Sequence, residues 1–426
     1  MSEIGMVLIG GMFILLLAGV PIAFTLGLLT VVGLWMADFS PLIMAQRLIA
    51  GSTVTSLLAI PGFILAGDLM TAGGLSRRLV RIASTCFGHF TGGLSMSTVA
   101  AGTFFGAISG SAPATTAAVG SIMIKELELR GYSSGYGAAL ATAIGPLGQM
   151  IPPSIPMIIW GVLAEESISK LFLAGIIPGL LAAAGFCLIS VIYARRLNIP
   201  REKRPSFAEI LAALRDGIWA LLAPVVILGG IYGGIFTPTE AAMIGALYSL
   251  CIGLFVYKDL SWSQLPGILV GAMRTTTLIM FIIVTAYGFA WVIASERIPS
   301  QISEVLLGIT DNPLLLLLLL NLMLLVLGAV MDTVSAMVIL SGVLIAVGAQ
   351  IGLDPIQLGA MVVVNFAVGM VTPPLGYSLF VAASISGLSI ERVTRHLWPF
   401  LLVLVVVVGL VAYIPAITLF LPALLG

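Results

Sequence analysis

Apolar residues run along this chain in stretches long enough to cross roughly 30 Å of hydrocarbon. They fall at about 4–36, 52–74, 90–104, 135–164 and 171–194, and again at about 217–257, 271–294, 313–326, 356–387 and 396–424. Polar residues gather between the two series, where 195–216 holds Arg195, Arg196, Arg201, Lys203, Arg204 and Arg215. The pattern predicts a first unit over 1–194, a basic linker over 195–216 and a second unit over 217–426. A shift of 221 residues sets Asp38 on Asp259, Pro152 and Pro153 on Pro373 and Pro374, and Pro178 on Pro399 without a gap, the mark of an internal duplication.

Two kinds of interruption recur inside the apolar stretches. Residues 102–120 read G-T-F-F-G-A-I-S-G-S-A-P-A-T-T-A-A-V-G. A lipid-facing segment of this kind would leave backbone groups unpaired at several kcal/mol each, so it must be buried in protein or line a wet cavity. Pro113 beside Ser-Gly-Ser favours a re-entrant hairpin, over about 105–126 with its turn at 109–113, above a tight contact of small residues. The same shift predicts a second hairpin at about 327–347 and sets Ser111 opposite Asp332. The other interruption is the double proline of I-P-P-S and V-T-P-P, which breaks the stretches 135–164 and 356–387 at equivalent places. Paired breaks in corresponding segments point to a transport site.

A broken helix frees carbonyl oxygens at one end, which can hold a cation, and N–H groups at the other, which can hold a carboxylate. Hydroxyls of Ser109, Ser111, Thr115 and Ser154 add neutral ligands in the first unit, and those of Thr333, Ser335 and Thr372 in the second. Asp332 is the carboxylate near either site. Ionised at membrane depth it would cost on the order of 3 kcal/mol or more unless paired. A bound cation is one partner, and capping the helix that follows is the other use; the two are compatible. Glu240, in F-T-P-T-E-A-A, also reads as deep, with structural pairing and a part in transport both open, while Asp68 reads as reaching the interface near the end of its span. His89 and His396 fall in loop or interfacial stretches and read as neither ligand nor base.

Composition supports the membrane reading: 60% hydrophobic residues, 8% charged and a mean hydropathy of +1.19 leave too little polar surface for a soluble fold of 426 residues. Eighteen basic against eighteen acidic residues give no basic face for nucleic acid. Cys86, Cys187 and Cys251 stand apart without metal-ligand spacing. The start lacks a basic n-region and reads as part of the mature first helix. Five crossings per unit, an odd number, would set the two units in opposite senses across the bilayer; if 4–36 and 217–257 are two helices each, six crossings would make them parallel. A cytoplasmic linker puts twelve basic residues inside, including Arg47, Lys125, Arg130, Arg297, Arg392 and Arg395. It leaves six outside, Arg77, Arg78, Arg81, Lys170, Lys258 and Arg274, with both termini periplasmic.

The motifs P-G-F-I-L-A-G-D-L-M-T-A-G-G from Pro61, I-S-G-S-A-P-A-T-T-A-A-V-G from Ile108, the I-P-P-S break, F-T-P-T-E-A-A from Phe236 and the V-T-P-P break follow one another in order. The chain resembles, from first helix to last, the large membrane subunit (M subunit, DctM-like) of tripartite ATP-independent periplasmic (TRAP) transporters. That resemblance implies an all-α polytopic protein of the bacterial inner membrane, with two inverted-topology repeats of about five transmembrane helices and one hairpin each, working as an elevator. It implies Na⁺ symport of an organic acid, a sialic acid or a C4-dicarboxylate, delivered by a periplasmic substrate-binding protein and carried with a small four-helix membrane subunit. No organic cofactor is implied. Substrate would fall on Ser109, Ser111, Ser154 and Asp332. Sodium would fall on Ser109, Gly110, Thr115 and Pro152, and on Asp332, Thr333, Ser335, Thr372, Pro373 and Gly376. A permease of the related ion-transporter superfamily, needing no binding protein, is the alternative. An intramembrane protease is disfavoured: G-A-I-S-G has one residue too many before its serine, no histidine lies at depth as a base, and Asp332 has no aspartate partner.

Overall fold

A computed structural model describes residues 3–308, 310, 312–374 and 376–425, and every regular element among them is helical. The first unit comprises α1 (Glu3–Leu17), α2 (Ile22–Met36), α3 (Leu42–Ser52), α4 (Ala59–Ala72), α5 (Leu75–Phe87), α6 (Gly93–Ser109), α7 (Ala112–Leu129), α8 (Ser134–Ala143), α9 (Leu147–Met150), α10 (Ile155–Leu163) and α11 (Ile168–Arg196). The second comprises α12 (Phe207–Tyr232), α13 (Pro238–Cys251), α14 (Leu265–Ser295), α15 (Ile298–Leu307), α16 (Pro313–Val330), α17 (Thr333–Gln350), α18 (Pro355–Gly369), α19 (Tyr377–Ser386), α20 (Ile390–Tyr413) and α21 (Pro415–Leu425). The 221-residue shift carries α7 onto α17 end to end, and carries the start of α8 onto that of α18.

Several sequence boundaries move. The stretch 4–36 is two helices, stopped by Gly19 at φ +80° and restarted after Pro21, and 217–257 likewise divides before a Thr237–Glu240 capping box with Pro238 at the first helical position. The stretches 90–104 and 313–326 are not separate crossings but first arms of hairpins, which span α6–α7 and α16–α17 and so start well before 105 and 327. These two changes offset each other, and the number of crossings per unit remains odd. The linker is shorter than 195–216, because Arg195 and Arg196 close α11 and a Ser206–Glu209 capping box starts α12 at Phe207.

The hairpins enter from opposite faces. Arg130, just beyond α7, pairs with Glu202 of the linker at 3.0 Å, so the open end of the first hairpin lies on the linker face. His396, near the start of α20, is on that face too, 3.5 Å from Ser133. At the far end of α20, the Tyr413 hydroxyl donates to the Leu314 carbonyl at 3.1 Å, which puts the open end of the second hairpin on the opposite face. The first helix break lies within the protein, where every residue from 135 to 161 is buried, as unpaired backbone at membrane depth requires. The arm leading to the second is buried from 356 to 371, while the break itself is more open, with Thr372 and Pro373 half-buried and Pro374 exposed.

Charge placement differs from the sequence reading. Arg81 pairs with Asp216 at 3.0 Å and Arg78 with Asp259 at 2.5 Å, so Arg77, Arg78, Arg81 and Lys258 sit on the linker face rather than opposite it. Arg47 lies over Trp291, and Arg297 follows α14, both at the far end of that helix from Lys258. The contrast between faces is therefore sharper than 12 to 6. Arg78 is the anchor of this network: it also reaches Asp216 at 3.5 Å and lies 3.6 Å over the Tyr257 ring. Arg78→Met would leave two carboxylates without their shared cation. We expect a loss of about 1–3 kcal/mol, below the value for a fully buried pair because the site is partly solvated. The check is a thermal midpoint in detergent several degrees lower, against little change for Arg77→Met, whose side chain is 65% exposed.

Candidate functional site

Both hairpin tips and both helix breaks meet at one cavity of about 190 Å³. Gly110, Ser111 and Pro113 come from the first tip, and Asp332, Thr333 and Val334 from the second. Gln149, Ile155 and Pro156 flank the first break, Met370 and Tyr377 the second, and Ile279 of α14 completes the wall.

The first tip is built around a turn that glycine permits. Gly110 takes φ +63°, its carbonyl accepts from the Ile155 N–H at 3.2 Å, and a Cβ there would lie 2.7 Å from the Pro153 carbonyl oxygen. Tip and break are thus fastened together. Ser111 occupies the cap position of α7 but makes no side-chain cap bond, and its hydroxyl stays available to the cavity. Behind it, Ser109 Oγ and Thr115 Oγ1 lie 3.0 Å apart, and Thr115 donates to the Ser111 carbonyl at 2.9 Å. The second tip is different: the residue matching Gly110 is Met331, in extended backbone at φ −118°. Asp332 caps α17, accepting from the Ser335 N–H at 3.1 Å and from the Ser335 hydroxyl. No ion pair to Asp332 occurs among the described residues.

Of the sequence-predicted positions, Gly110, Ser111, Asp332 and Thr333 line the cavity. Ser154 does not: its hydroxyl caps α10 by accepting from the Met157 N–H at 3.3 Å, and the residue is fully buried. Ser109 and Thr115 lie behind the tip, Ser335 serves Asp332, and Thr372 donates to the Val368 carbonyl at 2.8 Å. Both Pro152–Pro153 and Pro373–Pro374 bonds are cis. Pro373 is half-buried, Gly376 closes the second break by donating to the Thr372 carbonyl at 3.1 Å, and Leu375 lies outside the described residues. Glu240 is not deep but exposed, its carboxylate accepting from the Thr237 N–H at 2.8 Å in the capping box that the spacing T-P-T-E encodes. Asp68 is half-buried without a hydrogen bond or ion pair among the described residues. Its neighbour Gly67 packs against Ser109, which sets Asp68 near tip depth rather than at an interface.

Sequence reasoning missed Gln149 and the Asn321–Asn365 pair. Asn365 Nδ2 donates to Asn321 Oδ1 and to the Met361 carbonyl, both at 2.8 Å, and ties the first arm of the second hairpin to α18. An asparagine inside the leucine run of α16 was the available signal, because a lone amide there needs a partner.

The sequence profile of the family described as "Tripartite ATP-independent periplasmic transporter, DctM component" matches residues 9–417. The chain belongs to this family. The permease is 42% identical to the C4-dicarboxylate TRAP transporter large permease protein DctM of Pseudomonas aeruginosa, over 90% of each chain. It is 39% identical to the isethionate TRAP transporter permease protein DctMQ of Oleidesulfovibrio alaskensis, over 97% of this chain and 66% of that one. It is 35% identical to the sialic acid TRAP transporter large permease protein SiaM of Vibrio cholerae, over 96% of each. Its fold is similar to that of the Alcanivorax borkumensis YdaH transporter, with a TM-score of 0.61 at 16% identity over 87% of this chain and 86% of that one. The permease is thus a multi-pass membrane transport subunit and not an enzyme.

Proposed function

We propose that the permease imports a small organic acid of C4-dicarboxylate size by Na⁺ symport across the bacterial inner membrane, receiving it from a periplasmic binding protein and working beside a small membrane subunit. The observation that carries this reading is the single cavity shared by both tips and both breaks. Its wall includes the start of α7, whose cap residue Ser111 makes no side-chain cap bond and whose N-terminal dipole suits a carboxylate, and among the described residues it holds no arginine, lysine or histidine. The anion is held by backbone dipoles and by the sodium that accompanies it.

Two oxygen clusters suit Na⁺. Ser109, Thr115 and the Ser111 carbonyl gather behind the first tip, and Asp332 with Thr333 stands at the second, where the carboxylate has no cationic partner among the described residues. The basic linker face is cytoplasmic in this reading, with both termini periplasmic. Hairpin and broken-helix elements α6, α8 and α18 pack on α11 and α20, while α4 packs chiefly on α13 and α2 on α14; in this reading the first group moves as an elevator against the second.

The test is uptake of succinate, malate and N-acetylneuraminate by vesicles holding the permease and its small partner, with and without the binding protein and Na⁺. Uptake that needs neither would overturn the proposal. In the same vesicles Ser111→Ala is expected to slow uptake about 10-fold, the cost of one hydrogen bond to a charged group. Thr85→Ala, in α5 and away from the cavity, is expected to leave it unchanged, and equal effects would remove Ser111 from the site.

A further inference from the structure

Gln149 stands in the cavity wall with an unfilled hydrogen-bonding need. It belongs to α9, the single turn of helix before the first break, and is 4% exposed. Its Oε1 is buried without a partner, and its Nε2 makes no hydrogen bond among the described residues. Either orientation of the amide leaves a polar end facing the cavity unsatisfied. Across the same cavity the Thr333 hydroxyl is buried and unpartnered as well. Buried amides in folded proteins nearly always find partners, and leaving one unfilled costs free energy that a ligand can recover.

We infer that Gln149 is a specificity-determining residue and that the substrate is a hydroxy acid, its hydroxyl held by the Gln149 amide while its carboxylate lies at the hairpin tips. The inference rests on the import reading above and deepens it. A carboxylate oxygen can only accept, so it pairs with the amide only where Nε2 faces the cavity. A hydroxyl can give or take a hydrogen bond and fits whichever end of the amide it meets. Ile155, Pro156, Ile279 and Met370 of the same wall are apolar. The residue matching Gln149 in the second unit is Met370, so the duplication placed a thioether where the first unit keeps an amide. An acid whose one polar group is the carboxylate held at the tips would bury the Gln149 amide with nothing to bond, and sites built to pair a substrate hydroxyl reject analogues that lack it.

The experiment measures initial uptake by vesicles holding the complete system for matched pairs of acids: malate and succinate, lactate and propionate, gluconate and hexanoate. It compares the permease with Gln149→Met, which keeps the length and removes the amide. The binding protein is the same in both arms, so its own preference cancels from the ratio of variant to parent. For the pair that is carried, the variant is expected to take up the hydroxylated acid at least about 10-fold more slowly and its partner within about 2-fold of the parent. Retained uptake of the hydroxyl-free acid also reports that the variant is folded. Equal loss for both members, or no loss for the hydroxylated one, would overturn the assignment of Gln149. A parent permease that prefers hydroxyl-free acids would overturn the substrate class. If no acid of any pair is carried, the import of small organic acids falls, and this inference falls with it.

Discussion

Asp332→Ala is expected to abolish Na⁺-driven uptake, by 100-fold or more, while the permease still inserts and purifies as a single species. The carboxylate has two tasks. It caps α17 through the Ser335 N–H, and it faces the cavity without a cationic partner among the described residues. The two tasks separate by substitution. Asp332→Asn keeps an oxygen for the cap, which costs at most a few tenths of a kcal/mol in that position, but removes the charge that a sodium ion would neutralise. Uptake lost in both variants, with thermal stability lost only in the alanine form, is the result that assigns the charge to the ion. Unchanged sodium dependence in either would remove Asp332 from the sodium site.

Gly148→Ala is expected to be nearly as damaging without removing any polar group of the cavity. Gly148 packs directly beneath the first tip, where an added Cβ would lie 2.7 Å from the Ser111 carbonyl oxygen and closer still to Thr115 Oγ1. Gly106 faces it from α6, and a Cβ there would lie 2.9 Å from the Gly148 Cα. The crowded atoms include backbone, so a rotamer change cannot relieve the clash, and overpacking of this kind costs about 1–3 kcal/mol. The displaced atoms are those that hold Ser111, so uptake is expected to fall by more than 10-fold. Gly10→Ala, with open space around its Cβ direction, is the matched control and is expected to change neither uptake nor thermal midpoint. A Gly148→Ala permease with unaltered uptake would mean that the tip does not need this seat.

What the sequence made legible was backbone. Two prolines in an apolar stretch, or Ser-Gly-Ser-Ala-Pro, constrain the chain locally, so the breaks and the hairpin turns could be placed within a few residues. Hairpin arms were harder: 90–104 looks like any crossing, because an arm buried in protein and a helix facing lipid are equally apolar. Side-chain assignments depended on what each hydroxyl was already doing. Ser154 and Ser335 had local partners, a cap and a carboxylate, that no spacing rule separates from ligand duty. Gln149 went unseen for the converse reason, since a single amide in G-P-L-G-Q-M carries no pattern and only its burial without a partner marks it. Glu240 was legible and misread, its T-P-T-E spacing being a capping signal beside a proline that suggested a bend deep in the membrane.

The opposed entry of the two hairpins leaves a record in the basic residues. Both units satisfy the same packing demands, so their helices superpose along the sequence, but loops that correspond lie on different sides of the membrane. Arg77, Arg78 and Arg81 are matched in the second unit by Ile298, Pro299 and Ile302, and Lys125 and Arg130 by Ala346 and Ile351. In the other direction, Lys258, Arg392 and Arg395 are matched by Ala37, Leu171 and Ala174. An ancestral unit able to insert either way round would have needed nearly balanced loops. Once two copies were joined in a single chain, each had to keep one fixed sense, and the electrical asymmetry of the membrane favoured lysine and arginine in a given loop of one copy only. The folds of the two halves record their common origin, and their charges record the side of the membrane on which each came to rest.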